Sequence, residues 1–140
     1  MVESLYSLLE KVGFTHPLHP MMTHIPMGMI IGMVAFSAVG LLWNKAVLSR
    51  TAFHCAVLAL ISVVPVIVTG ALDWLQFQGG EWNIYIIVKM VLGPILTILL
   101  ALTVIQKNRG ASDGKMLVFY LLCLACAGGL GYSGGELVYG

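Results

Sequence analysis

Three histidines fall within one short stretch, His16-Pro-Leu-His19-Pro-Met-Met-Thr-His24-Ile-Pro26-Met-Gly28. The same stretch holds three of the five prolines and three of the eight methionines. No Asp, Glu, Lys or Arg occurs between Lys11 and Lys45, so these imidazoles gather at the mouth of an apolar segment. Neutral imidazole ligates metals, and on bundle helices it is the usual axial ligand of a b-type haem. His24 heads the candidates, because an ionisable side chain inside a membrane span is a functional hypothesis by default. Its position four residues before Gly28 and eight before Gly32 places it on a G-x-x-x-G packing face, pointing into the bundle. There Gly28 makes room for a porphyrin. His19 is the candidate second ligand, brought toward His24 by bends at Pro20 and Pro26. His16 is a third candidate, or part of a solvated tail. The bland alternatives are an interfacial His19 and a His24 bonded to the Met22 carbonyl that Pro26 leaves without a donor.

Other chemistry is scattered along the chain. His54 stands one turn inside the next span, as a snorkelling side chain or as a second haem ligand with Met116 for a partner. Helix rise separates His24 from His54 by roughly 20 Å in depth, so they do not share one ion within a chain. Met21, Met22, Met27, Met29 and Met33 crowd the first span. Beside histidines they suggest a soft copper(I) site, and otherwise adaptable core filler. Asp73, Lys89 and Glu136 fall toward the same side as the three histidines. Lys89 is expected to pair with Asp73 or Glu136, and the alternatives are proton exchange or anchoring of haem propionates. Cys123 and Cys126 form C-x-x-C mid-span, where no charge activates a thiol, and they read as buried small residues. No phosphate-binding loop, dinucleotide fingerprint, H-E-x-x-H or Ser-His-Asp set is present.

The elements that hold these residues are membrane spans. The 140 residues are 59% hydrophobic and 9% charged, with mean hydropathy +0.97. Soluble domains carry about 25% charge, so the apolar surface here must face lipid. A net charge of +1 makes no case for nucleic acid. The N-terminus has Glu3 and Glu10 and lacks the basic region of a cleavable signal peptide. Residues 1–20 read as an amphipathic tail, with Leu5, Leu8, Leu9 and Val12 on one side of a surface helix. Residues 21–140 read as an all-α, four-span antiparallel bundle, with spans near 21–43, 51–75, 84–106 and 116–132. Pro26 is expected to kink the first span, and 107–115 to be a flexible basic loop. Lys45, Arg50, Lys107, Arg109 and Lys115 share one side, against Lys11 and Lys89 on the other. The positive-inside rule then puts both termini outside.

Three motifs resemble one family. The opening His19-Pro-x-x-x-His24-x-Pro26-x-Gly28, the Thr69-Gly-Ala-Leu-Asp73-Trp74 end of the second span and the closing Gly134-Gly-Glu-Leu-Val-Tyr139 bracket nearly the whole chain. They are similar to small four-span bacterial membrane proteins of unknown function. The resemblance implies a four-helix domain in a bacterial cytoplasmic membrane, association with redox modules and bound haem. Members of that family continue past the Val-Tyr pair with a histidine and more glycines, whereas this sequence stops at Gly140. The expectation is a b-type haem electron-transfer protein or redox-complex subunit, not a stand-alone enzyme, with haem toward the outer face. Its partners would be the bilayer, a redox protein or a quinone, and other copies of itself. The rival readings are a cofactor-free structural subunit or small transporter, and a His/Met copper protein.

Overall fold

The computed structural model describes residues 2–139, and it is helical throughout. The order is α1 Val2–Lys11, α2 Leu18–Leu42, α3 Ala46–Phe77, α4 Ile84–Asn108 and α5 Asp113–Tyr139. Helices α2 to α5 are each long and apolar enough to cross a membrane. At most 33% of any spanning window is buried inside the protein, so most of each helix is left to face lipid. A backbone in hydrocarbon must satisfy its own polar groups, and helices do that within the segment.

Short connections make neighbouring helices antiparallel. Helices α2 and α4 each pack on both α3 and α5, which gives a four-membered ring in chain order. Helix α1 lies against α3. The shared core includes Ile30 and Met33 of α2, Ala52, Ala56 and Ala59 of α3, Leu96 and Leu100 of α4, and Met116, Tyr120 and Cys123 of α5. Alanines on α3 let α2 approach closely. At the end where α2 turns into α3, a Cβ on Gly40 would lie 3.2 Å from both the Leu48 Cβ and the Ser49 amide. Asn44 completes that turn with φ +50°, a conformation Asn tolerates better than most residues.

Helix α2 begins at Leu18, slightly ahead of the expected start near Met21, and continues past Pro26 to Leu42. Pro26 is buried in the packing face. One expectation needs correction. Residues 107–115 are not a flexible loop. They close α4, turn at Gly110 with φ +81°, and start α5. Lys107 and Asp113 bridge that turn at 2.5 Å, and the Ser49 hydroxyl of α3 donates to the same Asp113 oxygen at 2.6 Å. Three helices are thereby tied at the Lys/Arg-rich end, a clasp that sequence reasoning missed.

Candidate functional site

The polar centre at the opposite end is built on Asp73. This carboxylate sits near the end of α3 and is 9% exposed. Its oxygens accept from the Leu18 amide at 3.1 Å, the His19 amide at 2.7 Å and the Tyr6 hydroxyl. Leu18 and His19 open α2, so Asp73 caps that helix from a neighbouring one. A negative charge at a helix N-terminus meets unpaired amides and the positive end of the dipole. Pro17, which precedes α2, offers no side-chain cap of its own. Tyr6 also stands edge-on to Phe77 at 5.3 Å, so one residue docks α1. Burial, then the hydrogen bond to Asp73 and its charge, push the Tyr6 phenol well above its ordinary pKa.

His19 faces α3. Its Nδ1 lies 3.0 Å from the Val66 carbonyl, and its ring lies on Gly70, where a Cβ would come within 2.9 Å of Nδ1. A carbonyl only accepts, so the neutral ring carries its proton on Nδ1 and its lone pair on Nε2. Gly70 and Asp73 are one helical turn apart, and together they seat the His19 ring and its backbone. The middle motif, the least specific of the three, turns out to be the receptor for the first.

His24 does not point into the bundle. The buried face of α2 is Pro26, Ile30, Met33, Ser37 and Gly40. His24 is nine residues before Met33, about 180° away at 100° per residue, and it is exposed. Gly28 is exposed as well, with no atom within 4 Å of a Cβ placed there. The close approach belongs to Gly32, whose Cβ would meet the Cys55 sulfur at 3.4 Å. The His24 Nδ1 bonds the Pro20 carbonyl at 2.7 Å, not the Met22 carbonyl freed by Pro26. It too therefore presents a bare Nε2. His19 and His24 lie about 140° apart around a continuous helix, so the local two-imidazole site expected from bent backbone does not assemble.

The remaining candidates are dispersed. His16 is exposed before α2. His54 is exposed, whereas Met116 is 1% exposed in the core. Met33 is buried, and Met27 and Met29 pack against the core as filler. Lys89 makes no salt bridge within 4 Å among the described residues. Its Nζ instead lies beside Gly134, 3.4 Å from where a Cβ would stand. The direct pairs expected with Asp73 and Glu136 are thus not formed. Asp73 is occupied as described, and Glu136 accepts from the Tyr85 hydroxyl at 3.4 Å. Cys123 is buried near the Thr103 hydroxyl, and Cys126 lies 3.4 Å from the Leu92 carbonyl, as small interior residues do. Among the described residues no three of His, Cys, Asp and Glu gather as a metal centre.

A model of the family described as "Predicted membrane protein (DUF2231)" matches residues 15–140. The chain belongs to that family. No curated protein and no solved structure matches it. The matched region of this family member begins just before His16 and takes in every histidine, Asp73, Lys89 and Glu136. Tyr6, which the structure brings onto Asp73, lies ahead of it. Sequence reasoning missed Tyr6 because an isolated tyrosine in a short amphipathic helix carries no signal. The Gly70-x-x-Asp73 spacing was the one legible hint that something seats there.

Proposed function

We propose that the chain is a membrane-embedded electron-transfer protein or redox-complex subunit that holds a b-type haem between two copies, with His24 of each copy as an axial ligand. One observation carries the reading, which is that His24 faces outward from a spanning helix. Ionisable side chains in spans almost always face the bundle interior or a water-filled cavity. An outward imidazole about 9 Å from the helix start calls for a partner outside its own chain. The donor chemistry fits. Metal-bound imidazoles hold their other N–H on a carbonyl or carboxylate, and the Pro20 carbonyl does this for His24. Gly28, one turn along, leaves a flat bed against which a planar ring can lie. Two clefts of the single bundle, one lined by Phe77, Gln78, Glu81, Trp82, Asn83 and Leu137 and one by Ala46, Ser49, Arg50, Phe53, Lys107 and Asp113, include no histidine.

Haem bound there supplies one-electron chemistry. The chain orients the imidazole through Pro20, and exposed Met21, Ile25 and Ile31 beside it exclude water. His19, facing α3, positions helices and is not the second ligand.

Absorption spectra of protein purified from haem-supplied cells, oxidised and reduced, test the proposal. The expected result is a Soret band that shifts on reduction, with one haem per two chains. His24→Ala loses it, whereas His54→Ala and His19→Ala keep it. Colourless protein would leave a cofactor-free bundle. Stoichiometric copper without a Soret band would favour the His/Met reading.

A further inference from the structure

We propose that the cleft at the Lys/Arg-rich end binds the phosphate headgroup of an anionic phospholipid, with Arg50 gripping the phosphate. The cleft has a volume of about 270 Å³ and is lined by Ala46, Ser49, Arg50, Phe53, Lys107 and Asp113. Ala46 and Asp113 are the first residues of their helices, and Lys107 is in the last turn of α4. The cleft therefore opens where hydrocarbon gives way to headgroups.

Its charges do not cancel. Lys107 and Asp113 neutralise each other at 2.5 Å, and Ser49 joins that pair. Arg50 is left without a carboxylate within 4 Å among the described residues. Lys45, Arg109 and Lys115 add the same sign at this end. A guanidinium offers two parallel N–H donors to phosphate oxygens, a geometry an ammonium lacks. Basic pockets between spanning helices are the recurrent sites for anionic headgroups.

The setting selects a lipid over a free anion. Phe53 and Ala46 give the cleft apolar walls. His54 is exposed, one turn beyond Arg50 on the same face and about 6 Å deeper. A phosphate held at Arg50 leaves the ester groups of its lipid at the depth of His54, where an imidazole N–H can donate to them. Leu58, 53% exposed, continues that face along the acyl chains. The volume suits a headgroup and not a whole lipid, so the chains lie in the bilayer along α3.

Native mass spectrometry of the detergent-solubilised protein, with added phosphatidylglycerol or phosphatidylcholine, tests the site. Phosphatidylglycerol should be retained one per chain, and phosphatidylcholine should not. Arg50→Gln should weaken retention by more than about tenfold, because it removes a pair of charge-assisted hydrogen bonds as well as a charge. Arg109→Gln, exposed at the same end outside the cleft, should cost no more than about fivefold, the diffuse contribution of one surface cation. Excess inorganic phosphate should not displace the lipid. Equal losses in Arg50→Gln and Arg109→Gln would reduce the effect to diffuse attraction and overturn the site, as would equal retention of phosphatidylcholine. Displacement by phosphate would make it a free-anion site instead. Should Arg50→Gln not fold, Arg50→Lys keeps the charge and loses the paired donors, and undiminished retention there would equally count against the proposal.

Discussion

The carboxylate of Asp73 accepts from two amides of α2 and from the Tyr6 hydroxyl of α1, so three elements meet on one side chain. Removing it leaves buried donors unpaired and a helix uncapped. Asp73→Ala should destabilise the bundle by about 3 kcal/mol, measured by denaturation in detergent. Tyr6→Phe should cost only about 1 kcal/mol, because the carboxylate keeps both amides. The raised Tyr6 phenol adds a pH dependence of defined sign. A group whose pKa rises on folding contributes fully below its unfolded value, roughly 10 for tyrosine, and loses that contribution as pH climbs toward the folded value. Hydrogen exchange over residues 2–11 should therefore show α1 loosening above about pH 10 in the wild type. No such alkaline step should appear in Tyr6→Phe. None of this was legible from the residues singly. Asp73 looked like an ion-pair partner for Lys89, but backbone amides and a phenol from distant parts of the chain reach it first.

At the scale of elements, the α2–α3 hairpin is the tightest joint. Gly40 admits the Leu48 side chain and the Ser49 amide to within ordinary contact of bare backbone. The Lys45 amide closes the turn on the Gly40 carbonyl at 2.8 Å. Gly40→Ala must push backbone as well as side chain aside, and should cost about 1–3 kcal/mol in the same denaturation assay. Gly28→Ala meets open space and should be close to neutral there, so the pair separates a packing glycine from an exposed one. Both glycines were visible in the sequence, and the G-x-x-x-G spacing made Gly28 look like the packing residue. Spacing fixes which residues share a face, but not which face turns inward. That depended on the small residues of α3, where Ala52, Ala56 and Ala59 share the buried core with Ile30 and Met33. The prolines tell the same story. Pro26 and Pro65 both sit inside continuous helices, although each withholds an amide from the carbonyl one turn earlier, that of Met22 and that of Ile61.

For the molecule as a whole, the orientation proposed from Lys and Arg places both termini outside and the Ser49–Lys107–Asp113 clasp inside. Single cysteines at Ser4 and Asn108, introduced after removal of the native thiols, test it with an impermeant reagent on intact cells. Position 4 should label and position 108 should not, and the reverse pattern would invert the protein and both of its ends. The sequence by itself determined that this chain is a membrane protein of four spans. Charge is too scarce to cover a water-facing surface, and hydropathy and length then count the helices. It also marked the end at which His16, His19 and His24 lie, because chain position and antiparallel alternation place them there. Only the tertiary structure decided where each side chain looks. His19 turned toward Val66 and Gly70, His24 toward the outside, and Asp73 toward the start of α2. The physical reason is that a spanning helix is apolar all round. With no polar face to orient it, its rotation about its own axis follows from the shapes of its neighbours, and those are not written in its own periodicity.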